Sequence, residues 1–216
     1  MFKHETQVIK FLLQWYSVNA RNLPWRKKNT LNLPDPYFVF VSEYMLQQTT
    51  VNTVKNKFND FILKWPSLNK LAQTSEPNIL KFWSGLGYYS RARNLLKSAK
   101  IIHKNFKNNI PKTYDELIQL PGIGDYTAKA ILGIGYNKSV MPLDANIERI
   151  LVRLHAIDKP INKVKNKLKD LGKKFISDKY SSNLIQSFMD YGSEICLPRN
   201  PKCNICGINK FCQSYK

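Results

Sequence analysis

The four cysteines of the chain lie within its last 21 residues, at Cys196, Cys203, Cys206 and Cys212. Their spacing is C-x6-C-x2-C-x5-C. Cysteine sulfur is the ligand that iron–sulfur clusters require, and uneven gaps within one short loop suit a bulky 4Fe-4S cube. The pattern therefore predicts a cluster-binding loop in this part of the sequence.

Zinc and disulfides are the two alternative uses of these cysteines. Zinc modules usually carry two Cys-x2-Cys knuckles separated by a longer loop, whereas only Cys203 and Cys206 form such a knuckle here, which favours iron. Disulfides require an oxidising compartment, yet the first residues run into a polar amphipathic segment without an apolar signal core. We therefore expect reduced thiols in a cytoplasmic protein.

The charge balance favours a polyanionic partner. Lys and Arg total 34 against 15 Asp and Glu, which gives a formal net charge of +19. Such a surplus attracts nucleic acid, although an abundance of Lys and Asn can also reflect nucleotide bias in the coding sequence. No apolar run is long enough to suggest a membrane span, so we expect no membrane partner.

Helical periodicity accounts for most of the chain. The first pattern predicts an amphipathic helix after Thr6, built on Val8, Phe11, Leu12, Trp15 and Tyr16. Further helices are predicted at 43–64, 76–84, 91–106, 113–119, 125–134, 145–155, 160–176 and 181–193. The short apolar run 38–41 fits the approach to a helix better than a strand. The sequence therefore predicts an all-α fold.

Two glycines, Gly122 and Gly124, stand in a tight turn between predicted helices, within the segment LPGIGDYTA at 120–128. Without Cβ atoms, such a turn lets a phosphodiester approach backbone N–H groups at the start of the second helix. A plain connector between helices is the alternative, because glycine pairs are common there. The turn is a candidate phosphate-binding hairpin.

Together, this hairpin, Asp144 some twenty residues further on and the cysteine pattern resemble the helix-hairpin-helix DNA glycosylases of the endonuclease III superfamily. Within that superfamily, the sequence is most similar to adenine DNA glycosylases of the MutY type. The blocks that carry this similarity are 23–26, 42–49, 83–95 and 143–146. The resemblance spans nearly the whole chain.

The resemblance implies two carboxyl roles in cleaving a base from deoxyribose. Glu43 would protonate the departing base, and Asp144 would stabilise the cationic sugar. From sequence alone, Glu43 also fits a solvated helix residue, and Asp144 fits a helix N-cap. We expect the hydrogen bonds and helix dipole of an N-cap to keep Asp144 ionised.

Tyr126 stands where superfamily members that also cut the backbone carry a lysine. A tyrosine cannot form the Schiff base of that second reaction, so the resemblance implies a monofunctional enzyme in which water attacks the sugar. Lys129, one helical turn further on, is interpreted as a phosphate contact or a surface residue.

The resemblance also implies contacts with the duplex and the flipped base. Gln48 and Tyr88 would enter the DNA duplex on the strand opposite the flipped base. Without the resemblance, Gln48 would be interpreted as a residue on a helix surface and Tyr88 as a core residue. The residues similar to those of the adenine pocket are Arg26, Leu46, Val51 and Gln186. Arg91 and Arg93 could pair with phosphates or with nearby carboxylates, and the sequence leaves both options open.

We expect two helical lobes. One comprises residues 24–134 as a six-helix barrel with the hairpin, and the other comprises 1–23 with 135–216 and the cluster loop. The expected partner is double-stranded DNA with a mismatched or damaged base pair, bound by a monomer associated with the nucleoid.

The sequence departs from the MutY type in one respect. It stops four residues after Cys212, without the further domain that helps such enzymes recognise 8-oxoguanine. The resemblance thus extends to excision of adenine opposite 8-oxoguanine or guanine, but not to discrimination between these partners. The alternatives are a mismatch-specific thymine glycosylase, a bifunctional glycosylase/lyase and a non-catalytic DNA-binding module.

Overall fold

The computed structural model describes residues 3–215. The chain divides into two compact units: residues 22–136 form one, and the N-terminal segment up to Arg21 joins the segment from Asn137 onward in the other. Within the described residues there is no strand, only an isolated bridge between Lys28 and Pro34. The predicted all-α fold is confirmed. None of the described helices is both long and apolar enough to cross a membrane.

The described residues form eleven α-helices. Their bounds are α1 Lys3–Asn19, α2 Pro36–Leu46, α3 Val51–Lys64, α4 Leu68–Ala72, α5 Glu76–Trp83, α6 Ser90–Asn105, α7 Tyr114–Ile118, α8 Asp125–Ala130, α9 Ala145–Leu154, α10 Lys165–Lys173 and α11 Ser181–Glu194. A wider π-type turn, Ile131–Gly135, continues α8.

The predicted helix 43–64 is wrong, because two helices occupy that stretch. Helix α2 ends at Leu46, Gln48 adopts a left-handed φ of 56°, and the side chain of Thr50 caps α3 by accepting from the backbone N–H of Thr53. A left-handed residue stops a helix, and a capping threonine starts the next one. Helix α2 also begins earlier than predicted and includes the apolar run 38–41.

Other parts of the chain also differ from the prediction. Helix α1 already begins at Lys3. The predicted helix 160–176 is a short 3-10 turn at Ile161–Lys163 followed by α10. Helix α4, capped by Ser67, was not predicted.

In the 22–136 unit, α6 packs against α2, α4 and α5. The interior is aromatic, and its largest fully buried side chains are Phe40, Tyr44, Phe58, Phe61 and Trp83. Each such side chain contributes on the order of 2 kcal/mol by leaving water. This packing makes α2 and α6 a firm base for the loops that follow them.

In the other unit, α11 packs against α1 and α9, and α10 packs against α9. The carboxylate of Asp190, fully buried in α11, accepts from both Nε (2.6 Å) and the backbone N–H (2.9 Å) of Arg21. Helices α9 and α11 approach closely at Gly192, where an added Cβ would lie 2.6 Å from the Cβ of Asn146. The first turn of α9 is therefore held tightly against α11.

Candidate functional site

The hairpin turn between α7 and α8 is bound to α2 and α6. Gly122 has a φ of +80°, and a Cβ there would lie 2.9 Å from Nδ2 of Asn94 and 3.1 Å from Cε1 of Tyr44. The carbonyl oxygen of Pro121 accepts hydrogen bonds from the hydroxyls of Tyr44 and Ser98. Only a glycine fits this conformation at this distance from the core.

The outer side of the same turn is open. Gly124 is exposed, and a Cβ added there would meet no atom within 4 Å. The Nε2 amide of Gln47 donates to the carbonyl oxygen of Gly122 at 3.2 Å. The hairpin therefore combines an anchored inner side with an outer side that a phosphate can reach, as the glycine pair predicted.

Glu43 lies in α2 and is 6% exposed, so its carboxyl is a buried group rather than a solvated one. Leu46, in the same helix, and Val51, at the start of α3, are both half-buried. Arg26 is half-buried too, in the turn Pro24–Arg26, which contacts both α2 and α3. The three predicted pocket residues of this unit thus lie on elements in mutual contact.

Tyr126 is half-buried in the first turn of α8. In the same turn, the carboxylate of Asp125 pairs with Nζ of Lys129 at 2.8 Å and accepts from the hydroxyl of Tyr114 at 2.9 Å. Lys129 is therefore engaged with its own helix, in keeping with a surface residue.

Gln48 and Tyr88, the two residues expected to enter the DNA duplex, are exposed on loops of the 22–136 unit. Tyr88 is 61% exposed, which removes the alternative of a core tyrosine. Both residues have left-handed backbones, with φ of 56° and 46°. Residues other than glycine rarely adopt this backbone conformation unless surrounding groups stabilise it.

Arg91 supplies such support through main-chain contacts rather than through a pairing with a carboxylate, one of the two partner types predicted for it. Its guanidinium is buried, and the hydrogen bonds that it donates to other described residues go to main-chain carbonyl oxygens. The acceptors of Nη1 are Tyr44 (3.2 Å), Met45 (2.7 Å) and Gln47, and those of Nη2 are Leu86 (2.8 Å) and Gly87 (3.0 Å). Arg93 instead pairs with Glu76 at 3.0 Å on the surface.

In the other unit, Asp144 caps α9. Its Oδ1 accepts from the backbone N–H of Ile147 at 2.7 Å, and its Oδ2 accepts from Nδ2 of Asn146 at 2.9 Å. Burial raises the pKa of Asp144 above its ordinary value, and the hydrogen bonds from Ile147 and Asn146 and the charge of Arg149 oppose that shift only in part. The expected cap is present and lowers the pKa, but burial raises the pKa by more.

Arg149 links the cap of α9 to the cysteine segment. Its Nη2 donates to Oδ1 of Asn146 at 2.8 Å and to the carbonyl oxygen of Gly192 at 2.7 Å, and its Nε donates to the carbonyl oxygen of Cys196 at 2.7 Å. One guanidinium thus connects the side chain that holds Asp144 with the first cysteine.

The four cysteines line one pocket, although within residues 3–215 no three His, Cys, Asp or Glu side chains are arranged to hold a single metal ion. Donors point at two of the sulfurs: Nη1 of Arg153 lies 3.3 Å from Sγ of Cys196, and the hydroxyl of Tyr191 lies 3.3 Å from Sγ of Cys206. The pocket that the four cysteines share, and the donors that point at two of their sulfurs, fit a cofactor larger than a single metal ion and bound by thiolates.

Gln186 is buried in α11, and its Nε2 donates to the carbonyl oxygen and the hydroxyl of Ser182. Its Oε1 is buried without a hydrogen-bond partner among the described residues. This amide oxygen can therefore accept a hydrogen bond from a further donor.

Three supporting residues were not identified as such from the sequence: Arg91, Asn146 and Arg149. The helical spacing of Asn146 and Arg149, three residues apart near the start of α9, was a signal that they share one face of the helix. No sequence signal indicated that Arg91 would be buried, because its partners are main-chain atoms.

The model of the HhH-GPD superfamily base excision DNA repair proteins matches residues 41–174. The chain is 41% identical over 210 residues to an adenine DNA glycosylase of Buchnera aphidicola subsp. Schizaphis graminum, covering 96% of this chain and 59% of the relative. It is 44% identical over 207 residues to the adenine DNA glycosylase of subsp. Baizongia pistaciae, covering 94% and 57%. The chain thus spans less than two thirds of these curated relatives.

Among solved structures, a thermostable thymine-DNA glycosylase matches with a TM-score of 0.88 at 26% sequence identity. The match covers 99% of this chain and 97% of that chain. The chain therefore shares its helical arrangement with nearly all of a solved glycosylase whose name specifies thymine rather than adenine.

Proposed function

Because the chain belongs to the HhH-GPD superfamily of base excision DNA repair proteins, we propose that it is a monofunctional DNA glycosylase that excises adenine mispaired with 8-oxoguanine or guanine. The observation that carries the proposal is the held carboxylate of Asp144, fixed by Ile147 and Asn146 at the N-terminus of α9. The choice of adenine is supported by relatives named adenine DNA glycosylase, at 41% and 44% identity.

In the proposed reaction, the bond between the base and deoxyribose breaks and its electron pair stays on the base. Glu43 gives a proton to the departing purine, and ionised Asp144 stabilises the positive charge left on the sugar. Water then adds to the sugar carbon and returns a proton to Glu43. A buried general acid of this kind contributes a factor of about 10² to 10⁴.

Tyr126 supports hydrolysis without strand cleavage, since a phenol cannot form an imine with the opened sugar. Lys129, the amine one turn away, is paired with Asp125. Borohydride should therefore trap no covalent adduct between the protein and DNA. Trapping as efficient as that of a known glycosylase/lyase would overturn this part of the proposal.

The proposed DNA contacts follow from exposure and chemistry. Gln48 and Tyr88 fill the space left by the flipped nucleotide, and Gly122 and Gly124 receive a backbone phosphate. The residues that we propose to contact the flipped base are Arg26, Leu46, Val51 and Gln186. The free Oε1 of Gln186 suits the exocyclic amino group of adenine, a donor that thymine lacks.

We further propose that Cys196, Cys203, Cys206 and Cys212 hold a 4Fe-4S cluster, supported by their common pocket and by donors to two sulfurs. When bound, the cluster supplies a structural crosslink for the loop. Three exposed cations of this segment, Arg199, Lys202 and Lys210, would then face the DNA backbone. Iron removal should weaken DNA binding, and unchanged affinity of the iron-free protein would contradict this.

A thymine glycosylase acting on G:T pairs is the second candidate, favoured by the full-length match to a solved thymine-DNA glycosylase. The deciding experiment incubates the protein with labelled duplexes that contain A opposite 8-oxoguanine, A opposite G, T opposite G, or an oxidised pyrimidine, with and without alkali. Release of adenine, with strand breaks only after alkali, supports the proposal. Release of thymine supports the second candidate, breaks without alkali indicate a lyase, and no release indicates a binding module.

A further inference from the structure

Two loops of the 22–136 unit, residues 47–50 and 84–89, require strong support. Each carries a non-glycine residue in the left-handed region, Gln48 in the first and Tyr88 in the second. The second loop also contains Gly85 and Gly87, with φ of 90° and 69°. Loops of this kind relax toward ordinary conformations unless surrounding groups hold them.

The guanidinium of Arg91 contacts both loops. Nη1 binds the end of α2 and the carbonyl oxygen of Gln47, the residue before Gln48. Nη2 binds the carbonyl oxygens of Leu86 and Gly87, directly before Tyr88. One planar group therefore sets the distance between the two backbones that carry the exposed side chains.

The surroundings of Arg91 add to this constraint. Its guanidinium carbon lies 5.5 Å from the centroid of the Trp83 ring and 5.7 Å from that of Tyr88, so Tyr88 is held through its ring as well as its backbone. Arginine suits this position because its nitrogens form a rigid fork, whereas the single ammonium group of lysine cannot bind both loops with the same geometry.

We propose that Arg91 is a positioning residue that locks the Gln48 and Tyr88 loops into one rigid wedge, so that both side chains enter damaged duplex DNA together. The inference rests on the proposed function in taking DNA as the ligand, but not in the identity of the excised base. Because folding already orders the two loops, binding to DNA costs less conformational entropy.

The test compares Arg91→Lys with Arg93→Lys. Arg93 lies two residues away, is exposed, and its side chain pairs with Glu76 rather than with loop carbonyls. Dissociation constants are measured for a fully paired duplex and for a duplex with a tetrahydrofuran abasic-site analogue opposite guanine. This second duplex contains no base to excise, so the result does not depend on whether adenine is the substrate.

Arg91→Lys should weaken binding to the abasic duplex about tenfold, as expected for a lost charge-assisted contact, with binding to the paired duplex unchanged. Arg93→Lys should change neither constant. Equal loss on both duplexes, or no loss, would overturn the inference.

A second variant decides the matter if Arg91→Lys does not fold. A Cβ added at Gly87 meets no atom within 4 Å, but its φ of +69° strains an alanine. Gly87→Ala therefore disturbs the Tyr88 loop without disturbing the core. It should show the same selective loss on the abasic duplex, and unchanged selectivity would contradict a wedge that depends on loop geometry.

Discussion

The Nε of Arg149 donates a hydrogen bond of 2.7 Å to the carbonyl oxygen of Cys196. Because the same guanidinium also binds Asn146, which in turn binds Asp144, the carboxylate and the first cysteine are joined through only two side chains. We therefore expect a displacement of the cysteine segment to move Arg149 and Asn146, and with them the side chain of Asp144.

Breaking this link should lower the excision rate. We expect Arg149→Gln to reduce the single-turnover rate of base release about tenfold or more, since Asn146 loses the group that orients it. Arg153→Gln is the matched control, because Arg153 contacts the cysteine segment at Cys196, Leu197 and Pro198 but not Asn146. Equal rate losses in the two variants, at equal iron content, would contradict a specific role of Arg149.

Asp144→Asn should abolish base release and leave affinity for a mismatched duplex largely intact. The amide keeps a similar shape and can still accept from the N–H of Ile147, but it carries no charge to stabilise the sugar. Asp144→Ala should be less stable than Asp144→Asn by about 1 kcal/mol, since alanine cannot cap a helix. Gel-based cleavage, equilibrium binding and urea unfolding provide the three measurements, and wild-type cleavage by Asp144→Asn would refute the assignment.

The rate of base release should depend on pH through Asp144. Burial raises its pKa, so the carboxylate takes up a proton, and the rate falls, at a higher pH than the ordinary aspartate value of about 3.9. Single-turnover rates measured from neutral into acidic buffer check this. An acidic limb at the ordinary aspartate pKa would show that the site does not desolvate the group.

The same shift affects stability with a defined sign. A carboxyl whose folded pKa is raised binds more protons in the folded state, so ionised Asp144 lowers the free energy of unfolding above that pKa. The cost disappears as the pH falls through the folded pKa toward the unfolded one. Asp144→Asn removes this cost but loses the acceptor for Nδ2 of Asn146. Its stability relative to wild type, measured by urea unfolding, should therefore fall as the pH is lowered through the folded pKa.

Gly192→Ala should impair both stability and catalysis. The added methyl would lie 2.6 Å from the Cβ of Asn146 and 3.2 Å from its Cα, which pushes the first turn of α9 away from α11. Such overpacking costs about 1–3 kcal/mol, and displacement of Asn146 disturbs Asp144. Ser193→Ala is the control on the same helix, since its hydroxyl donates to the carbonyl oxygen of Asp190 within α11. Thermal unfolding and single-turnover rates resolve the two effects.

Alanine at the two hairpin glycines should separate folding from DNA binding. Gly122→Ala should lose stability, because its φ of +80° and its contacts with Asn94 and Tyr44 exclude a methyl group. Gly124→Ala should remain as stable as wild type, since its new Cβ meets no atom within 4 Å. If phosphate binds this side, Gly124→Ala still weakens duplex affinity several-fold, and unchanged affinity would place the phosphate elsewhere.

Local patterns alone predicted most of the helices, the hairpin glycines and the cluster of cysteines, whereas the roles of Glu43 and Asp144 were implied by the resemblance to DNA glycosylases. Helical periodicity depends on neighbours three and four residues apart, so α5, α6, α9 and α11 were predicted with bounds within one residue. Glu43, Asp144, the hairpin glycines and the four cysteines belong to contiguous motifs, which a single chain displays without a fold.

Tertiary contacts decided how those groups are held. The break between α2 and α3 depends on a strained Gln48 that Arg91 supports from 43 residues away, and no local pattern encodes that pairing. Likewise, burial raises the pKa of Asp144 although a local helix cap opposes that shift, and the cap is the only part of this balance that the local sequence displays. Desolvation is a property of the assembled interior, so the sequence determined which groups are present, and the packing determined their positions and the direction in which the pKa of Asp144 is shifted.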